Sequence, residues 1–161
     1  MNLFRDYLKE AIADFGSENI KTRFIGDISV LDDDLQQLIA EAEKASGKAT
    51  GMTLNIAINY GGRQEIVMAA RSLCEDVVSG RISPADITEK ALSERTYTAG
   101  QPDPDLIIRP SGEKRISNFM IWQSAYAEMW YSEVLWPDFT PEQLEYAIDS
   151  FNGRVRRFGG L

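Results

Sequence analysis

Apolar positions recur along this chain at two different periods. Phe4, Leu8, Ala11, Ile12 and Phe15 fall at helical spacing before Gly16 ends the run. Leu31, Leu35, Leu38, Ile39 and Ala42 repeat that spacing up to Gly47, and Ile66, Ala69, Ala70, Leu73 and Val77 repeat it after Gly61-Gly62. Between these stretches the pattern changes. "TRFIGD" predicts a short strand ending at Gly26-Asp27, and "MTLNIAINY" predicts a buried strand. Ser83-Pro84-Ala85-Asp86 predicts the start of a short helix, with serine as N-cap, proline in the first helical position and an acid in the first turn. "GQPDPD" reads as a stiff turn, "LIIR" as a buried strand, "NFMIWQSAYAEMW" as a helix and "SEVLW" as a last strand. Thr140-Pro141-Glu142-Gln143 has the capping-box pattern and opens a final helix carrying Leu144, Ile148, Phe151 and Val155.

Strands alternating with helices predict an α/β fold: a parallel sheet of about four strands with flanking helices, in a single domain over residues 1–161. In such sheets ligands bind beyond the carboxyl ends of the strands. The residues at those ends are Asp27, Asn59-Tyr60-Gly61-Gly62-Arg63 and Arg109, all polar or glycine apart from the tyrosine's ring. The expected site therefore lies on one sheet edge.

Composition narrows the chemistry. With 43% hydrophobic and 26% charged residues, the 161-residue chain is of ordinary globular make-up. Its net charge of -8 argues against a general affinity for nucleic acid or anionic lipid, so any bound anion must be held by a local cluster. There is no histidine, which excludes histidine zinc sites and a Ser-His-Asp triad. Cys74 is the only cysteine, so no intrachain disulfide forms, and a reducing, cytoplasmic setting is expected. No apolar run is long enough to span a membrane, and the start of the chain is not that of a signal peptide.

The local cluster is "DLIIRPSGEKRISNF", residues 105–119. Arg109 stands where a strand ends, Gly112 lets the turn bend, Arg115 follows, and Ser117-Asn118 occupy an expected helix N-cap. Two guanidinium forks, a hydroxyl and a helix amino end suit a diphosphate. The plainer alternative is that Arg109 and Arg115 pair with acids while Ser117 merely caps. Trp122, Tyr126 and Met129 share one face of the expected helix and read as core. Glu128 lies eleven residues after Ser117, at nearly the same azimuth, either as a magnesium ligand beside phosphate or as a solvated acid. "NYGGRQE" is no phosphate-loop motif, and Asn59 reads as a tie between loops. Arg156 and Arg157 are either favourable charge at a helix C-terminus or a basic tail reaching a partner.

Taken together, "LNIAINYGGRQEI", "PDPDLIIRPSGEKRISNFMIWQSAYAEMWYSEVLWPDF" and the closing "RRFGG" resemble the cis-prenyltransferase family, whose bacterial members include undecaprenyl diphosphate synthase. The resemblance runs along the whole chain. It implies a magnesium-dependent transferase that condenses isopentenyl diphosphate with an allylic prenyl diphosphate, leaving new double bonds in cis. In that picture Arg109, Arg115, Ile116 and Ser117 bind the isopentenyl diphosphate, and Glu128 helps hold Mg2+. Arg157 and Gly159 of the tail complete the site of a neighbouring subunit across a homodimer. Pro110 stands where the family usually has Thr, and Lys114 where Gln or His is common. Handling long lipids would be compatible with a place at the membrane periphery.

One departure is large. The family carries an Asp-Gly-Asn loop with a catalytic aspartate, and no Asp-Gly-Asn occurs in this sequence. The expectation is an incomplete cis-prenyltransferase fold: the carboxyl-terminal part of such an enzyme, with no catalytic residue of its own and inactive alone. It would carry the isopentenyl-diphosphate half-site and await an N-terminal half. The alternative is a non-catalytic partner subunit of a heteromeric cis-prenyltransferase. A sheet lacking strands should also show unpaired backbone edges and bare apolar surface.

Overall fold

The computed structural model of the chain describes residues 5–9 and 18–154. The chain divides into two compact units, Met1–Thr98 and Ala99–Leu161.

In the first unit, residues 5–9 are helical. β1 (Lys21–Ile25), α1 (Asp33–Ser46) and β2 (Thr53–Ala57) then form a β-α-β unit, with a 3-10 turn at Ile28–Val30. β1 and β2 pair in parallel, from Lys21 opposite Thr53 to Ile25 opposite Ala57. Parallel neighbours need a crossover, and α1 supplies it. Its apolar stripe packs Leu35 and Ile39 with Leu8, and Phe24, Ile28, Leu31 and Ile58 lie against that cluster. α1 also closes the outer edge of β1. Ser46 Oγ accepts the Thr22 N–H at 3.0 Å, and Glu43 Oε1 accepts the Phe24 N–H at 2.8 Å. Two strand donors that would recruit another strand are thus occupied by side chains.

α2 (Gly62–Val78) follows β2. The expected start at Ser83 is a 3-10 turn, Pro84–Asp86, in which the Ser83 N–H donates to Asp86 Oδ2 at 2.7 Å. The one α-helical turn after it, α3 (Glu89–Ser93), is capped instead by Thr88 Oγ1, which accepts the Ala91 N–H.

The second unit holds β3 (Leu106–Arg109), β4 (Glu128–Tyr131) and α4 (Pro141–Asn152). β3 and β4 are parallel, with Leu106 opposite Glu128 and Arg109 opposite Tyr131. All four strands are therefore in parallel pairs, as two two-stranded sheets, and each strand has one strand neighbour among the described residues. Buried Trp130 packs edge-on to Phe139 and Tyr146, which seats α4 on β4 beside the fully buried Ala147.

Two expected elements differ here. The helix expected over "NFMIWQSAYAEMW" does not form; a 3-10 turn at Gln123–Tyr126 leads into β4. Ser117, Asn118 and Met120 all have positive φ, which no helix tolerates. Aromatic Trp130 and Tyr131 favour the pleated ladder with β3 over a helical face. The last strand consequently falls four residues before the expected "SEVLW". At the final helix, Thr140 makes no side-chain cap. It hydrogen-bonds the Glu142 carboxylate and holds it below the usual range.

Candidate functional site

The second unit builds its candidate site where β3 ends. Arg109 is the last ladder residue, and its buried Nε has no hydrogen-bond partner among the described residues. Such a donor is costly to leave unmet, so it favours an incoming acceptor. After buried Pro110, the turn is held by two backbone bonds of 2.8 Å, Ser111 N–H to Val134 O and Gly112 N–H to Ser132 O. Ser111 and Gly112 have φ of 65° and 68°. Positive φ recurs at Ser117 (51°), Asn118 (62°) and Met120 (47°). Four non-glycine residues in that region within ten positions store strain of a kind that gathers at ligand sites.

Arg115 leaves the same loop with its side chain 72% exposed. Its terminal nitrogen lies 2.7 Å from Glu113 Oε2, yet that buried oxygen accepts no aligned hydrogen bond. The pair is a contact of charges rather than a bidentate fork. Ser117 is exposed and Ile116 half-buried. Ser117-Asn118 do not cap a helix, because none begins there, so no helix amino end contributes to the site. The plainer alternative is thus met for Arg115, whose neighbour is an acid, and not for Arg109.

Glu128 opens β4 rather than lying on a helix face with Ser117. Its carboxylate is a third exposed and accepts from Arg154 at 2.8 Å; the same guanidinium nitrogen donates to Met129 O at 3.0 Å. Among the described residues no group of three or more metal-ligating side chains occurs. A lone carboxylate still fits magnesium, which keeps several waters and completes its octahedron from phosphate oxygens. Arg154 is the competitor for that oxygen. The Trp122, Tyr126 and Met129 stripe is not a core helix face, and Tyr126 is 68% exposed. Arg156, Arg157 and Gly159 lie outside the described residues.

The first unit presents the other strand ends. Gly26 has φ 113°, and a Cβ there would penetrate the Ile58 carbonyl oxygen. That close approach lets Asp27 N–H donate to Asn59 O and Asn59 Nδ2 donate to Asp27 O at 3.0 Å. Asn59 is therefore the expected tie between loops. Beyond it opens a cavity of about 410 Å3, lined by Asp27, Asn59, Tyr60, Gln64, Met68 and Arg71 among others.

Beneath the cavity lies a group the sequence pattern does not single out. Glu65 is fully buried; it accepts the Tyr97 N–H at 2.7 Å and the Tyr60 hydroxyl. Burial, with the charges of Asp27 and Glu65, raises the pKa of the Tyr97 hydroxyl. The available signal was an acid in register with Ala69 and Leu73 on the buried stripe of α2, a position a carboxylate occupies only when partnered.

The likeness to known proteins covers nearly the whole chain. The Prenyltransf family model, that of undecaprenyl diphosphate synthase, matches residues 1–159. An isoprenyl transferase from Prochlorococcus marinus subsp. pastoris is 48% identical over all 161 residues, which cover 59% of that protein. A ditrans,polycis-undecaprenyl-diphosphate synthase, (2E,6E)-farnesyl-diphosphate specific, from Xanthomonas axonopodis pv. citri is 45% identical over 159 residues, or 99% of this chain and 62% of that protein. The crystal structure of lavandulyl diphosphate synthase from Lavandula x intermedia with dimethylallyl diphosphate superposes with TM-score 0.94 at 37% identity. That match takes in 99% of this chain and 69% of the other. The chain spans about three fifths of the length of the curated relatives it matches. It belongs to the cis-prenyltransferase family of undecaprenyl diphosphate synthases.

Proposed function

We propose that this chain carries the isopentenyl-diphosphate half of a cis-prenyltransferase site, serving condensation of isopentenyl diphosphate with an allylic prenyl diphosphate. The observation that carries the reading is Arg109: its buried Nε lacks an acceptor at the carboxyl end of a parallel strand, in a chain of this family. Arg115, Ile116 and Ser117 line the same loop and would complete the diphosphate contacts. Magnesium, when bound, supplies positive charge against the departing diphosphate. Glu128 would give it one oxygen after release by Arg154.

Retention of Arg109, Arg115, Ser117 and Glu128 favours this over a purely supporting partner subunit, which would have little use for them. The exposed apolar residues of the second unit favour a homodimer, in which Arg157 and Gly159 would reach a neighbouring subunit's site. A cytoplasmic place, at the membrane periphery where the lipid product goes, suits these substrates.

The sequence has no Asp-Gly-Asn, so the chain alone binds isopentenyl diphosphate but does not elongate farnesyl diphosphate with it in the presence of magnesium. Calorimetry should show isopentenyl diphosphate binding that Arg109→Ala weakens at least about tenfold, as loss of a charge-assisted contact requires. Binding indifferent to Arg109 overturns the site, and elongated product from the purified chain overturns the inactivity.

A further inference from the structure

Arg115 is the exposed guanidinium of the loop, and the charge beside it belongs to the loop itself. Glu113 stands two residues earlier, with Oε2 at 2.7 Å from the Arg115 nitrogen. Three features set this pair apart from an ordinary surface ion pair. The contacting glutamate oxygen is buried, although its side chain is 36% exposed, while the arginine side chain is 72% exposed. That oxygen accepts no aligned hydrogen bond, although a guanidinium offers five donors. A buried carboxylate oxygen without a directed donor is held by geometry rather than by a strong bond. The backbone around it is also fixed, with Ser111 and Gly112 bonded to Val134 and Ser132 at 2.8 Å. Glu113 is therefore delivered to Arg115 by the turn.

We propose that Glu113 is an internal stand-in for the anionic ligand, occupying Arg115 until a diphosphate displaces it, and so sets the affinity of the loop for anions. This rests on the reading of the Arg109–Ser117 loop as a diphosphate site. A pair whose cation is 72% exposed and whose contact holds no aligned hydrogen bond is weak and easily exchanged. A diphosphate offers more charge and a set of oxygens that can meet a guanidinium bidentately, so it wins the exchange. The displaced carboxylate remains nearby as a like charge, and it lowers the affinity of the loaded site as well. That repulsion grows with ligand charge, and a diphosphate feels it more than a monophosphate does.

The test is calorimetric titration of the 161-residue chain with inorganic diphosphate and, separately, inorganic phosphate at fixed ionic strength. The proteins are wild type, Glu113→Gln, Arg115→Ala, Glu113→Gln combined with Arg115→Ala, and Arg109→Ala, each checked for fold by circular dichroism. The amide keeps the shape of the side chain and removes its charge. Glu113→Gln is expected to tighten diphosphate binding about two- to fivefold and phosphate binding by less. In the Arg115→Ala background the same change should bring less than half that gain, since the charge competed for is gone. Wild-type binding that depends on Arg109 but is unchanged or weakened by Glu113→Gln overturns the stand-in and leaves the diphosphate site in place. Folded wild type and Glu113→Gln that both fail to bind diphosphate overturn the diphosphate reading, and the stand-in with it. An equal gain for both anions overturns the charge argument.

Discussion

At the scale of single residues, the first unit turns on a glycine and a buried acid. Gly26 lets the β1 end pass against the backbone at Ile58, and the two hydrogen bonds between Asp27 and Asn59 depend on that contact. Gly26→Ala adds both a steric clash with main-chain atoms and a side chain at φ 113°. The expected cost is about 2–4 kcal/mol, read as a fall in ΔG from urea unfolding with an unchanged m-value. An alanine variant within about 0.5 kcal/mol of wild type would mean the loop can shift away, and the tie would then not be rigid. Glu65 acts differently. It gives acceptors to the Tyr97 amide and the Tyr60 hydroxyl, and so joins the loop after β2 to the segment after α3. The Tyr60 and Tyr97 rings, 6.0 Å apart and tilted by 59°, flank it.

At the scale of elements, α2 is fastened at its far end by a second acid of the same stripe. Asp76 accepts from Arg95 at 2.6 Å and from Arg81 Nε at 2.6 Å, which binds the helix end to the segment after α3. Hydrogen bonds from Arg95 and then Arg81 lower the Asp76 pKa in the folded chain. A carboxyl whose folded pKa is depressed adds stability that is complete above its unfolded value, about 3.9. That stability is lost as pH falls through the lower, folded value. The melting temperature of Asp76→Asn should therefore lie below that of wild type at pH 7, with the gap closing as pH drops under about 4. A gap that stays constant with pH would assign the effect to shape rather than charge.

The same helices show what the sequence made legible. α1 and α2 follow from periodicity, because each buries one face and its apolar spacing reports that face, while β1, β2, β3 and α4 form where the apolar pattern places them. The stretch from Ser117 to Trp136 did not, since a short aromatic run fits a helix face or a ladder equally well. The choice was made by pairing with β3, a partner distant in sequence. The place of Arg109 at a strand end and the loop-tying bond of Asn59 were readable from position. Arg154 on Glu128, and Glu113 beside Arg115, were not, because counterions are chosen by folding rather than by spacing.

At the scale of the whole molecule, the distribution of apolar surface is informative. The periodicity of the final helix predicts a buried stripe through Leu144, Ile148 and Phe151, yet Leu144 and Ile148 are 43% and 42% exposed. Leu135, Trp136 and Tyr146 of the same unit are more than half exposed. A helix face patterned for burial and left open to solvent suits a second copy of the chain, as the proposed homodimer requires. Covering what remains exposed of these two side chains is worth about 0.6–1.3 kcal/mol each, and a two-fold interface covers both copies of each. Replacing them with charge, as in Leu144→Glu with Ile148→Glu, should weaken self-association by at least about a hundredfold. Sedimentation velocity would show this as a shift from dimer to monomer at matched concentration. Because both positions are solvent-exposed in the single chain, the double variant should keep its circular dichroism spectrum. A wild-type chain that sediments as a monomer throughout would remove the dimer, and with it the route by which the Arg157 tail could serve a neighbouring site.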